Sequence, residues 1–321
     1  MLNKTVFENV DQLCRTMVPQ NKTHPFAGKV VILSGDWKQS LPVADSASPG
    51  ASVAACIQSS HLYPLFQKFR LVQNMRVIPS EIQFKDWLYS IGTGTIGDLV
   101  NIPPNMIVNS RQELYDFVLI KAPTNRVVDS INCEIIDMID SPEVEYLSID
   151  NPTGENPLAY NAAEYDVATL NRITPNGMPA HSLKLKVGSV IVLLQNLNTQ
   201  KSLCNGTRLI VTNLQSNLIE AETINIGSDH GFKVGICRTR NQFVDNNPDA
   251  VSFERFQFPV RVAFCMTITK AQGQTCERLG IDFNDEPFAH GQLYTALSRG
   301  RSGDFIKILL LKNQIMMEVF Q

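Results

Sequence analysis

Between Phe264 and Arg301 nearly every polar residue is of a type that handles phosphate. Lys270-Ala271-Gln272-Gly273-Gln274-Thr275 reads as a loop after a strand ending near Thr269, and Gly273 lets backbone amides approach an anion closely. Leu293, Ala296 and Leu297 then recur at helical spacing until Gly300 stops the run. This places Arg299 at the helix tip, where it is expected to face outward. A planar, permanently cationic side chain on a rigid element suits the charge of a transferring phosphoryl group. Arg299 would also serve as a plain helix cap, worth ~0.3–1 kcal/mol, and Lys270 as a solvated loop lysine. Their shared window with a glycine loop favours chemistry.

Two other segments carry residues of this kind. Val30-Val31-Ile32-Leu33 reads as a buried parallel strand. It delivers Gly35, Asp36 and Gln39 at its carboxyl end, where open α/β sheets place ligands. A carboxamide there offers a ligand both donors and an acceptor. Arg76, in LVQNMR, follows a helix expected over residues 59–69 with Leu62, Leu65 and Phe66 inward. Gly28-Lys29 fails as a phosphate-binding loop: Thr23 stands where its first glycine belongs, and Val30 where Ser or Thr would hold magnesium.

The elements that must position these residues begin with a stripe of Val6, Val10, Leu13, Cys14 and Met17, read as a core-facing helix. A helix over residues 81–89 is closed by Gly92 and Gly94, and the glycines and paired prolines of residues 92–104 form a hinge. A second α/β unit starts near Val118: a strand, the turn Ala122-Pro123-Thr124-Asn125, and a helix over residues 127–139. Residues 151–174 form a polar, partly extended connection. Leu183 to Lys186 alternates strictly, Val190 to Leu194 is a buried strand, and Asn205-Gly206 marks a hairpin turn. Strands follow over residues 208–212, 218–222 and 233–236, an all-β insertion. Residues 260–266, Asp282-Phe283 and residues 305–311 complete the strand set.

Composition sets few limits. The 321 residues hold two compact domains, with 44% apolar content for their cores and a net charge of -3 that neither suggests nor excludes nucleic acid. Seven scattered cysteines without a C-x-x-C pair fit a reducing intracellular compartment, and no zinc site or disulfide framework is expected. The longest apolar runs are too short to span a bilayer, and MLNKTVFENV lacks the apolar core of a secretory signal.

TITKAQGQT followed by AHGQLYTALSR resembles the last two motifs of the petite-integration-frequency (PIF) family of superfamily 1B DNA helicases, to which Helitron transposon helicases are close. GDWKQSLPV is similar to the family's third motif, LVQNMR to its L-x-x-NMR motif, and APTN with Val128 and Asn132 to its LAPTN segment. GMPAHSLKLKVGSVIVLLQNLN, LCNGTRLIV and FERFQFPV are similar to its SH3-like 2B insertion and the lead-in to the next motif. Cys237 and Ser202 depart from the family's usual proline and glycine.

The resemblance implies an α/β P-loop NTPase with a RecA-like helicase core. Residues 1–78 would be the remainder of domain 1A, residues 79–117 a hinge and helix, and residues 118–164 and 253–321 domain 2A. Residues 165–252 would be an inserted SH3-like β-barrel. It further implies that Gln39, Arg76 and Arg299 act at the γ-phosphate, and that Gly35, Asp36, Gly273, Gln274 and Thr275 line the nucleotide. Thr124, Asn125, Thr269, Lys270 and His290 would face DNA. ATP and Mg2+ would serve the full-length enzyme. The phosphate-binding loop and the Asp-Glu pair have no counterpart upstream of Val30, so this chain alone is expected to bind neither tightly and to turn over no ATP. The expected partners are single-stranded DNA or junctions and an amino-terminal ATPase segment, with a monomeric state and no membrane. Nucleus or mitochondrion would be its compartment; repair, recombination, telomere upkeep or transposition its context. A non-catalytic single-strand-binding module and a decayed transposon fragment stand as alternatives.

Overall fold

The computed structural model describes residues 2–42, 50–97, 99–115, 117, 120–153, 167–175, 177–224, 231–244, 252–285, 287, 289, 291–310 and 314–316. Two compact units result, one from Met1–Val128 with Met266–Gln321, the other from Asp129–Cys265. Residues 79–117 lie inside the first.

The first unit is built on a five-stranded sheet. Its strands are β1 (Ile107–Val108), β2 (Ile120–Ala122), β3 (Cys265–Thr267), β4 (Leu279–Phe283) and β5 (Ile306–Leu310), in the spatial order β3-β2-β4-β5-β1. β4 runs parallel to β2 on one side and to β5 on the other, and β5 runs parallel to β1. Buried along its whole length, β4 reads as an apolar run broken only by Asp282. That carboxylate accepts from Arg111 Nε at 2.9 Å and from the Asn284 N–H at 2.8 Å, so the buried charge is paired. Helices α1 (Ile82–Thr93) and α2 (Gln292–Leu297) bring Phe84, Leu88, Ile91, Leu293, Ala296 and Leu297 against the core of this unit.

Four sequence expectations are corrected in this unit. The helix Lys4–Met17 forms, capped by the Asn3 side chain, but its apolar stripe of Val6, Val10, Leu13 and Met17 is exposed. Its buried face is Phe7 and Asp11: Phe7 packs with Phe26 and Phe66, and the Asp11 carboxylate accepts from the Phe26 N–H. Periodicity defines a face, not the side on which the core lies. Val30 to Leu33 is extended yet belongs to no described strand, with Val30 92% and Ile32 86% exposed. Val31 and Leu33 turn inward against Phe7, Phe26 and Leu62. The span 59–69 is no helix. Two 3-10 turns, Ile57–Ser59 and Tyr63–Leu65, stand there instead, the second with Pro64 inside it, and Leu62 is buried while Leu65 is exposed. Residues 260–266 split into Val260–Val262 and β3, which belong to different sheets.

The second unit is antiparallel wherever its described strands pair. Strands Lys233–Ile236, Ile219–Thr223, Arg208–Leu214, Val190–Leu193 and Val260–Val262 follow one another in space in that order, and no described pairing closes them into a ring. The alternation of Ser182–Leu185 appears as predicted, buried at Leu183 and Leu185, paired with Val144–Leu147. Ser202, one of the departures noted above, adopts φ 56°, a left-handed conformation that glycine enters without steric cost. The expected connection over residues 151–174 includes residues 154–166, which lie outside the described residues; Val167–Arg172 is helical.

One feature of this unit was not predicted. Fully buried Arg255 donates through Nε and Nη2 to the two carboxylate oxygens of Asp150, at 2.9 and 2.6 Å. Its remaining donors reach the carbonyls of Pro179 and Leu170, and Ser148 Oγ donates to Asp150 as well. Burial alone would raise the Asp150 carboxyl; the Arg255 guanidinium and the Ser148 hydroxyl outweigh it and hold it below its ordinary value.

Among the described residues no helix is long and apolar enough to cross a membrane.

Candidate functional site

The loop after the extended segment folds back on itself. Asp36 accepts from the Lys38 N–H at 3.1 Å and from Gln39 Nε2 at 3.3 Å, and its carbonyl accepts from the Gln39 N–H. Such a turn is what a short carboxylate favours. It pins the Gln39 carboxamide instead of leaving it to swing, while Gly35 lies exposed at the turn entrance.

Helix α2 locks onto this loop. The Ser40 N–H donates to Thr295 Oγ1 at 3.0 Å, both residues being buried. At the amino end of α2, Gly291 adopts φ 69°, and a Cβ there would stand 2.5 Å from the Lys38 carbonyl oxygen. Only glycine allows so close an approach of helix and loop.

At the other end of α2 lies Arg299, and here the sequence reading is corrected. Its side chain is only 1% exposed and folds back over its own helix. Nε donates to the Thr295 carbonyl at 3.0 Å, Nη2 to Ser298 Oγ at 2.8 Å and Nη1 to the Gln274 carbonyl at 3.4 Å. The helix is itself buried, so its tip ends in protein where an outward arginine would need solvent. All three acceptors are neutral.

Arg76 arrives from the opposite direction in sequence: Nε donates to Thr275 Oγ1 at 3.2 Å and Nη1 to the Ser298 carbonyl at 2.9 Å. Burial first, then the positive charge of Arg76, pull the Arg299 guanidinium down to about 10, so it remains cationic at neutral pH. Tyr294 faces the same space. Burial, the negative charge of Asp36 and a hydrogen bond to that carboxylate push its phenol up to about 12, so it stays protonated. Gln39, Asp36, Tyr294, Arg76, Arg299, Gln274 and Thr275 are thus brought together, although Arg76 and Ser298 lie 222 positions apart.

The glycine loop adds a residue that sequence reasoning missed. Lys121, fully buried on β2, donates through Nζ to Gln274 Oε1 at 3.4 Å. A lysine inside an otherwise apolar strand was the available signal. Gly273 adopts φ 86° in a loop that follows the turn Thr269–Ala271, where Thr269 and Lys270 are exposed.

The expected DNA-facing residues divide. Asn125 is exposed at the start of the helix Asn125–Met138. Thr124 Oγ1 donates to Asp285 Oδ2 at 2.9 Å, and Arg126 Nη2 donates to Asp285 Oδ1 at 2.6 Å. The buried Asn132, part of the same motif, exchanges hydrogen bonds with the Cys265 backbone, so it fastens β3. His290 lies outside the described residues.

Among the described residues no three His, Cys, Asp or Glu side chains gather as a metal site. The groups that converge are guanidiniums, amides and hydroxyls, donors that suit the anionic end of a nucleotide, and the nearby carboxylate of Asp36 is already engaged.

Comparison with known proteins accords with this donor set. Residues 1–102 match the family model for PIF1-like helicases, and residues 169–214 match that for the 2B domain of the DNA helicase Pif1. Over these two segments the chain is similar to PIF1-like helicases. Over 287 residues it is 29% identical to the ATP-dependent DNA helicase Pif1 of Bdellovibrio bacteriovorus, covering 89% of this chain and 59% of that protein. With the human ATP-dependent DNA helicase PIF1 it shares 24% identity, covering 96% of this chain and 44% of the relative. The chain thus spans about half the length of the curated relatives it matches. Its fold is similar to the crystal structure of Pif1 helicase from Candida albicans, with TM-score 0.71 and 20% identity over 98% of this chain and 71% of that one. It is equally similar to Bacteroides Pif1 in complex with ADP-AlF3 and single-stranded DNA, with TM-score 0.70 and 21% identity over 99% and 71%. The α/β architecture with its parallel sheet resembles the RecA-like core of these Pif1 helicase structures.

Proposed function

We propose that this chain forms the carboxyl-terminal part of an ATP-dependent DNA helicase moving 5′ to 3′ along single-stranded DNA. Arg299 and Arg76 neutralise charge on the γ-phosphoryl group, an effect worth about 10³–10⁵ in rate for such residues, and Gln39 couples that group to movement of its loop. The observation that carries the reading is Arg299: a buried guanidinium with neutral acceptors only, beside a second guanidinium. A buried cation lacking a carboxylate costs stability, and the dianionic end of ATP supplies the missing counter-charge.

The phosphate-binding loop and the magnesium carboxylates come from an amino-terminal ATPase segment. Two features support its docking here. The outward stripe of the helix Lys4–Met17 and the unpaired extended segments near Ile32 and Leu71 leave large apolar side chains in water. Such surfaces mark interaction sites. Thr124, Asn125, Thr269 and Lys270 contact the DNA strand.

A phosphate-release assay with single-stranded DNA tests the reading. The purified chain turns over no ATP alone, and joined to a segment carrying the phosphate-binding loop it does so, with Arg299→Ala abolishing the gain. Turnover by the chain alone, or a gain indifferent to Arg299, contradicts it.

A further inference from the structure

Side chains along β4 alternate between the two faces of the parallel sheet. Leu279, Ile281 and Phe283 enter the core with α1 and α2. Gly280 and Asp282 take the other face, where the short helix Arg111–Tyr115 lies. A Cβ at Gly280 would stand 3.4 Å from Leu114 Cδ2, and Arg111 holds Asp282. Lys307 pairs with Gly280 across the ladder and shares that face. Here a cavity of about 660 Å³ opens, walled by Ile107, Val108, Phe117 and Phe305. It shares no residue with the cluster around Arg76 and Arg299. Its charged side chains are Glu113, Asp304, Lys307 and Arg278. Glu113 accepts from Ser110 Oγ at 3.1 Å, Asp304 accepts from Asn105 Nδ2 at 3.3 Å, and Lys307 Nζ donates to the Asn105 carbonyl at 2.7 Å. Arg278 is engaged differently. Its guanidinium stands over the Phe117 ring, 4.6 Å from the centroid, and has no hydrogen-bond or ion-pair partner among the described residues.

We propose that this cavity binds a small aromatic monocarboxylate, its carboxylate on the Arg278 guanidinium and its ring against Ile107, Val108 and Phe305. Such a ligand is independent of the ATP reading above.

Size, wall and charge each select that class. The volume lies within the ~300–1,000 Å³ of small-molecule sites, and such sites pair apolar walls with a few placed polar groups. Phe305 is 48% exposed, so a bound ring would take apolar surface out of water. A guanidinium fork matches a carboxylate through two parallel N–H bonds. Phe117 already carries the Arg278 guanidinium, so binding orders little that was free. The sign of the ligand follows from what is idle: both carboxylates accept from neighbours, whereas the Arg278 donors are unused. Glu113 and Asp304 also limit that charge. Their own donors are neutral, so their negative charge stays in the cavity and opposes a dianion such as phosphate.

Isothermal titration of the whole chain tests this, with indole-3-acetate and its neutral amide, indole-3-acetamide, as separate titrants. The acetate is expected to bind about tenfold more tightly than the amide, the gain of one charge-assisted contact. Arg278→Gln, a change at an exposed position, is expected to remove that difference and leave the amide unaffected. Phe305→Ala is expected to weaken both probes several-fold through lost apolar contact. Lys201→Gln, the same charge change at an exposed position in the second unit, is expected to change nothing. If the unaltered chain binds neither probe, if the amide binds as well as the acetate, or if Arg278→Gln and Lys201→Gln behave alike, the site is overturned. Inorganic triphosphate, added as a competitor, separates this cavity from the cluster around Arg76 and Arg299. Indole-3-acetate binding that survives it supports the site, whatever becomes of the ATP reading; displacement that persists in Arg278→Gln places the probe elsewhere and overturns it.

Discussion

Arg255 and Arg299 are both buried arginines, one in each unit, and their surroundings differ in one respect. Arg255 meets a carboxylate in a two-point pair and two carbonyls besides, so each of its three nitrogens finds a partner and its charge is paired. Arg299 meets two carbonyls and a hydroxyl but no carboxylate in a hydrogen bond, and it feels the charge of Arg76, which lowers it, more than that of Asp36, which raises it. The first arrangement holds three segments together: Asp150, the Pro179 loop and the end of the helix Val167–Arg172. The second ties the Gln274 loop to the end of its helix through neutral acceptors, and it keeps a charge where charge is costly. A buried cation with its counter-ion is architecture; one without it awaits a ligand.

The contrast breaks most visibly if Arg255→Met is tolerated. Removing it strands the Asp150 carboxylate in the interior, at a cost of about 3–5 kcal/mol, which urea unfolding monitored by circular dichroism would measure. A loss below ~1 kcal/mol would mean the pair is not what holds this unit.

Acid should reveal the same pair. The Asp150 carboxyl lies below its ordinary value of 3.8. Its contribution to stability is therefore complete above that pH and is lost as the pH falls through the lower, folded value. The second unit should lose stability steeply below pH 3.8, and Arg255→Met should flatten that slope. For Arg299 the sign is opposite. Its value drops to about 10 on folding, so between there and its higher ordinary value the unfolded chain binds the extra proton and stability rises with pH. Below about pH 10 the buried charge weighs fully against the fold.

Arg126 is an intermediate case, an exposed arginine whose carboxylate partner, Asp285, also takes the Thr124 hydroxyl. If these donors serve DNA phosphates, Asp285 competes with them. Asp285→Asn should then tighten binding of a labelled oligothymidylate several-fold at low salt, about 1 kcal/mol for one charge contact. Weaker binding would make Asp285 a support for the loop instead. The smallest expected effect is in the second unit: Ser202→Gly relieves a left-handed residue and should raise its stability by up to about 1 kcal/mol.

The site was more legible in the sequence than the packing around it. Gln39 and Arg76 were singled out through the resemblance of their motifs and Arg299 through its place after a glycine loop and a short helix, and the structure brings the three into one region. Val30 to Leu33 was misplaced for a physical reason: β-branched residues state that the backbone is extended, not that neighbouring strands are there to cover it. The stripe on Lys4–Met17 misled similarly, since Phe26 and Phe66, not periodicity, decide which face is inside. Arg255 and Asp150 were illegible as a pair because 105 positions separate them and neither stands in a recognisable pattern. Arg299 was found but pointed the wrong way, because helical spacing does not disclose that the helix end is itself buried.

The most direct test of the claim that Arg299 is held for an anionic ligand is thermal unfolding of the native chain and of Arg299→Met, each with and without millimolar inorganic triphosphate. Without the anion, Arg299→Met should melt no lower than the native chain. With it, only the native chain should gain, since a ligand stabilises the form that binds it. If Arg299→Met instead melts far below the native chain, as expected for Arg255→Met, and triphosphate shifts both proteins equally, Arg299 is architecture and the account is wrong.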